Sequence, residues 1–296
     1  MIDGEEKDAK KEKKKNAELA EKGGDLPISA LGSGSDFTPF LQHLGIATLS
    51  LEYGGEDQDY GIYHSAYDSY DHYLRFGDPK FVYGITLAET IGHTLLQVAE
   101  SDVLPFQFTD FAETIDRYLV DLHTLCDETR EETQKQAKFL DSGAYVLAAD
   151  PEKHLLPPER KTEVPSIDLT PLSESLKNLK KSASSYDAAL HRAQENGFSS
   201  IRAEQIAALN QLLQGIEQTL LSGDGLPGRE WFRHLIYAPG MNTGYDVKTL
   251  PGIREAIEAR QWNEAIQYVG RTAACLDAYR DRIDKATSML EDSAGK

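Results

Sequence analysis

One seam of apolar residues constrains this chain more than any other feature. Leu169, Leu172, Leu176, Leu179, Ala183, Tyr186, Leu190 and Ala193 recur in alternating steps of three and four. Sustained over more than three heptads, that spacing places one continuous apolar stripe along a single long helix, and such a stripe has to be buried against other helices at a shallow angle. The flanking sequence repeats the pattern. Phe111, Ile115, Tyr118, Leu122 and Leu125 trace one helical face, Ile206, Leu209, Leu213, Ile216 and Leu220 a second, and Trp262, Ile266, Val269, Ala273, Leu276 and Ile283 a third. The region beyond Leu104-Pro105 therefore reads as a helical bundle, with an intramolecular core or a face for a second copy both open to it. The five prolines between Asp150 and Pro171 make that stretch a long connection.

The region ahead of the bundle has a different texture. Pro27–Leu31 and Ile46–Leu51 are short apolar runs that read as strands. Between them lie a Gly/Ser turn, Gly32–Ser35, and a segment with helical spacing, Phe37–Leu44. Strand, Gly-rich loop, short helix and strand is the order of an α/β sheet with parallel strands. A polar loop, Gly54–Gly61, follows, then a tyrosine-dense stretch, then Phe81–Glu100 as an amphipathic helix with Ile85, Ala88, Ile91, Leu95 and Val98 on one stripe.

Charge removes several classes of partner. Forty-nine acidic residues against 31 basic give a net charge of −18. A protein that neutralises phosphates needs a basic face, so neither nucleic acid nor an anionic bilayer is an expected partner. Lys10–Lys15 is basic, but the first 22 residues hold seven lysines and seven acidic residues and no aromatic, the composition of a solvated helix or tail. No apolar run is long enough to span a bilayer, and the first residues are too polar for a signal peptide. Two cysteines, Cys126 and Cys275, make no disulfide framework.

Three clusters are candidates for chemistry. Gly32-Ser33-Gly34-Ser35-Asp36, at a helix start, either offers backbone N–H groups to an anion or is a tight turn capped by Ser35 or Asp36. Tyr63-His64-Ser65 sets an imidazole beside a phenol; the histidine is either a metal ligand or proton carrier, or structural. Arg229–Gly252 is a long Gly- and Pro-punctuated loop, suited equally to packing and to binding. The other histidines, His234 among them, have no companion at ligand spacing.

In order, LGSGSDFTPFLQHLGIA, YHSAYDSYDHYLRFGDPKF, VLPFQFTDFA, and LPGREWFRHLIYAPG with LPGI resemble the C-terminal part of the glutamate carboxypeptidase II and transferrin receptor-like zinc peptidase family. The resemblance implies an α/β fragment, the end of a zinc-peptidase sheet, followed by an all-α helical-bundle dimerisation domain. The implied divisions are a charged segment at 1–25, the peptidase part at 26–103 and the dimerisation domain at 104–296. By the same resemblance His64 falls on a zinc-ligand histidine and Tyr63 on the tyrosine that stabilises the tetrahedral intermediate. Ser33, Gly34 and Ser35 match a substrate-contacting loop, and Tyr245 matches a tyrosine that reaches in from the dimerisation domain to the substrate's terminal carboxylate.

Complete members hold two zinc ions, and the remaining ligands and the glutamate general base lie upstream of the Gly/Ser loop by more residues than this chain has there. The expectation is a segment that binds no zinc stably and hydrolyses nothing alone, and that forms a homodimer through its bundle. The alternative is a non-catalytic dimerisation module of transferrin receptor type. Family members are mostly extracellular or periplasmic. Ser50 and Glu52 stand where the carboxypeptidases carry an arginine patch and Gly244 where they carry a lysine, which argues against strict specificity for acidic side chains.

Overall fold

In this computed structural model, residues 14, 16–19, 21–22, 28–53, 62–150, 152–153 and 155–291 are described. The chain divides into two compact units, 1–31 and 32–296. In the first, Lys14, Asn16–Leu19 and Glu21 are helical and residues 28–31 have no regular structure. Most of the expected charged segment 1–25 and all of the expected loop Gly54–Gly61 lie outside the described residues.

The second unit is built on helices α1 (Val82–Glu100), α2 (Phe108–Asp141), α3 (Thr170–Glu195), α4 (Ala203–Gln214), α5 (Pro251–Glu258) and α6 (Trp262–Glu291). Its named strands among the described residues are β1 (Tyr237–Pro239) and β2 (Val247–Thr249), an antiparallel pair. Helix α3 packs along both α6 and α2, and α5 closes on α6. All eight residues of the α3 seam are buried. Phe108 meets Tyr186 edge-on at 4.8 Å and Tyr279 at 5.8 Å, joining α2, α3 and α6 at one aromatic centre.

Polar side chains fix how the helices begin. Asp187 of α3 accepts the backbone N–H groups of Phe108 (3.3 Å) and Thr109 (3.2 Å), so the first turn of α2 is capped from a neighbouring helix. Asn210 of α4 accepts from the N–H of Leu104 (2.9 Å) and donates to the carbonyl of Asp102 (2.8 Å), which pins the entry to the bundle. The long proline-rich connection is held in the same way. The Arg260 guanidinium donates to the Thr162 carbonyl at 2.9 Å and to Thr133 Oγ1.

Several expectations change. The runs at 28–31 and 46–51 form no strand. A strand persists only when its backbone groups find a neighbouring ladder, and among the described residues the sheet consists of β1 and β2 alone. The helical segment expected at Phe37–Leu44 is present, its last turns wound wide as a π-helix over Pro39–Leu44 and closed by Gly45 in the left-handed region at φ 65°. α1 forms where expected but buries none of its residues, and Leu95 is 65% exposed. On α6, Val269, Ala273, Leu276 and Ile283 of the expected face are buried, joined by Ala265, Tyr268, Thr272 and Tyr279, while Ile266 is exposed. Tyr268 packs closely against α5, where a Cβ on Gly252 would lie 2.2 Å from its ring. No helix among the described residues is long and apolar enough to cross a membrane.

Candidate functional site

The expected binding loop at 229–252 is an ordered hairpin standing on the bundle. β1 and β2 pair with Tyr237 opposite Thr249 and Pro239 opposite Val247. Leu235, Ile236, Ala238 and Leu250 are buried, so the base of the hairpin belongs to the core. At the far end, Asp246 and Thr243 close a tight turn: Thr243 Oγ1 donates to the Asp246 carbonyl at 2.9 Å, and Gly240 N–H reaches the same oxygen at 3.0 Å. Glu255 of α5 accepts from the Met241 N–H at 2.7 Å and pairs with Arg229, bracing the tip from beneath. Tyr245 is thereby carried outward, 55% exposed.

The Gly/Ser loop lies directly on that tip. Ser33 N–H donates to the Tyr245 carbonyl at 3.0 Å. A Cβ at Gly32 would fall 1.9 Å from the same oxygen, and one at Gly34, whose φ is 95°, would fall 2.7 Å from the Tyr245 ring. Only glycine permits both the approach and the backbone conformation. The expected cap by Ser35 or Asp36 is not formed: Thr38 stands at the N-cap of the π-helix without a side-chain cap, and the Ser35 carbonyl closes a turn by accepting the N–H (3.1 Å) and the hydroxyl (2.9 Å) of Thr38.

His64 completes the cluster. Its φ of 58° is unusual for a side chain with a Cβ, and it turns the exposed imidazole between two phenols. The ring centroids of Tyr63 and His64 are 3.9 Å apart, and those of His64 and Tyr245 are 6.5 Å apart. His64 and Tyr245, 181 positions apart in sequence, thus share one surface with the backbone of Ser33 and Gly34.

Two features escape the sequence reading. Gln42, fully buried, donates through its side chain to the Gly32 carbonyl, and its own carbonyl accepts from Arg233 N–H at 2.8 Å. Beside it His43 stacks on Trp231 at 4.8 Å and its Nδ1 lies 2.7 Å from the Trp231 carbonyl. His234 does have a companion after all: Glu217, 17 positions upstream, at 3.0 Å. Neither partnership obeys a short spacing, so only the fold reveals them.

Among the described residues no group of three or more His, Cys, Asp or Glu side chains is placed to hold an ion. A zinc site takes at least three protein ligands, so His64 with its described neighbours does not make one.

Residues 167–284 match the transferrin receptor-like dimerisation domain. A probable glutamate carboxypeptidase of Arthroderma benhamiae is 28% identical over 249 residues, 83% of this chain and 29% of its own length. A probable glutamate carboxypeptidase of Arabidopsis thaliana is 27% identical, covering 77% of this chain and 27% of its own. Mouse aminopeptidase NAALADL1 is 27% identical, covering 79% and 27%. The chain spans less than a third of the length of these relatives. Residues 167–284 are thus similar to the transferrin receptor-like dimerisation domain, and over three quarters of the chain is similar to proteins named glutamate carboxypeptidase or aminopeptidase.

Proposed function

We propose that this chain supplies the substrate-facing wall and the dimerisation domain of a zinc exopeptidase that hydrolyses peptides. The observation that carries the reading is the convergence of Tyr63, His64, Ser33, Gly34 and Tyr245 on one exposed surface. In this reading 26–103 is the end of the peptidase domain, and 104–296 is the bundle that pairs two copies. His64 is one zinc ligand out of a set completed by residues outside this chain, and 1–296 alone is inactive. The exposed apolar stripe of α1 suits packing against that same peptidase domain.

The roles of the chain's own groups follow from their chemistry. Tyr63 directs a phenol O–H at the oxygen that gains negative charge as the peptide carbonyl is attacked. Tyr245 offers its hydroxyl to the substrate's terminal carboxylate, and the Ser33–Ser35 loop presents backbone and hydroxyl groups to its polar edge. Basic side chains of the hairpin region are committed elsewhere: Lys248 to Glu258 at 2.7 Å, Arg229 to Glu255, and Arg254 to the Thr249 carbonyl at 3.1 Å. The reading accordingly assigns no preference for an acidic side chain.

The test measures zinc content and peptide hydrolysis for the chain alone and within a complete protein carrying the peptidase region. Activity confined to the complete protein is expected, with Tyr63→Phe lowering kcat about 100-fold or more and His64→Ala abolishing zinc-dependent turnover. A complete protein that dimerises but neither holds zinc nor cleaves peptides would instead make this a dimerisation module.

A further inference from the structure

The buried pair of His234 and Glu217 lies at the base of the hairpin and takes no part in the chemistry above. His234 is fully buried, and Glu217 is nearly so. The two ring nitrogens are occupied in different ways. Nδ1 faces two consecutive backbone N–H groups, those of Ile236 at 3.1 Å and Tyr237 at 3.2 Å. A nitrogen that accepts from two donors carries no proton, so the hydrogen resides on Nε2 and is donated to Glu217 Oε1 at 3.0 Å. The Tyr237 ring stacks on the imidazole, centroids 4.9 Å apart at 22°.

Both ends of this connection lead to the site. Glu217 opens the short 3₁₀ turn Glu217–Leu220, and Gly45 seats so closely on that turn that a Cβ there would lie 2.8 Å from Gln218 Cα. His234 pairs with Leu221 across an isolated bridge, and Leu235 N–H donates to the Leu220 carbonyl at 2.9 Å. Ile236, whose N–H is held by Nδ1, gives its carbonyl to Leu250 N–H at 2.9 Å, where β2 ends. The imidazole therefore grips the first residues of the hairpin whose far end carries Tyr245. An apolar pair of similar volume would leave the Ile236 and Tyr237 N–H groups without this acceptor. What a buried imidazole and carboxylate add is direction.

We propose that His234, oriented by Glu217, is a positioning residue that sets the β1–β2 hairpin and so presents Tyr245 to the Ser33–Gly34 loop. The inference rests on the reading of Tyr245 as part of the site, but its test needs no catalysis. Two double variants of the full chain separate the roles. His234→Asn with Glu217→Gln keeps an acceptor near the Nδ1 position and strands no carboxylate. His234→Leu with Glu217→Gln replaces the acceptor by an apolar group of nearly the same size.

Amide hydrogen exchange should accelerate about tenfold or more at 236–249 and at Ser33 in the leucine variant, and stay within about threefold of wild type in the asparagine variant. The central amides of α3 and α6 should stay protected in both. Equal exchange in the two variants, or acceleration spread over α3 and α6, would overturn the proposal. Nitrogen-15 NMR of the unaltered chain should find Nε2 protonated and Nδ1 bare, and a protonated Nδ1 would refute the proposal even if a variant failed to fold. These outcomes leave the zinc reading of His64 and Tyr63 untouched, because that reading is scored by zinc content and turnover.

Discussion

Gly32 and Gly34 are small because Tyr245 is close. At Gly32 the added Cβ would overlap the Tyr245 carbonyl oxygen at 1.9 Å, so Gly32→Ala forces the loop off the hairpin tip. Loss of Ser33 amide protection in hydrogen exchange checks this, with the bundle's Tm moving by no more than about 2 °C because the loop lies outside the helical core. Tyr186 is the opposite case, a large residue without exposure whose hydroxyl has no hydrogen-bond partner among the described residues. Tyr186→Phe removes a stranded polar atom and should raise stability by about 1 kcal/mol in thermal denaturation.

Burial, reinforced by the charge of Asp187, pushes the Tyr186 phenol well above its ordinary range. Burial and then the Glu217 carboxylate push Tyr237 and Tyr279 the same way. Up to about pH 10 these phenols are neutral in folded and unfolded chains alike; above it the unfolded chain releases protons that the folded chain keeps. Stability is thus fully present below that pH and falls with rising pH, by about 1.4 kcal/mol per pH unit for each such phenol. Denaturant unfolding between pH 9 and 11 measures the slope, and Tyr186→Phe should reduce it.

At the scale of elements, the helices differ in what they contribute. Leu179 of α3 is fully buried between helices, and Leu179→Ala leaves a cavity costing about 2–5 kcal/mol. Leu95 belongs to an equally regular apolar stripe on α1 but is 65% exposed, so Leu95→Ala should change stability by less than about 0.5 kcal/mol. Urea denaturation of both variants distinguishes the two faces. Periodicity made both helices legible and could not rank them, because a stripe records that a face is apolar and not what covers it. Likewise the run Ile46–Leu51 has the composition of a strand, yet strand formation depends on a neighbour's backbone. Ile266 shows the same limit within one helix, since it is 51% exposed although Val269, Ala273, Leu276 and Ile283 of the same stripe are buried.

Across the whole molecule, α2, α3, α5 and α6 form a rigid base, and the hairpin and Gly/Ser loop stand on it. On the proposed dimerisation role the chain should sediment as a dimer, and remain one after treatment with a chelator, because among the described residues no group of three or more His, Cys, Asp or Glu side chains is placed to hold a metal ion. A chelator-dependent fall to monomer in analytical ultracentrifugation would contradict this.

The sequence alone determined the bundle: the α3 seam, the partner faces on α2 and α4, and the proline-rich connection all follow from local spacing, which a helix converts directly into a buried face. It also offered Tyr63, His64, the Gly/Ser loop and Tyr245 as candidates by their resemblance to a known family. Only the tertiary structure decided that these groups meet. Their approach depends on Gln42 reaching Arg233, on His43 stacking against Trp231 and on Glu217 holding His234. Those partners are separated by 17 to 191 positions, and a directional contact over such distances is specified by the packed chain, not by any pattern along it.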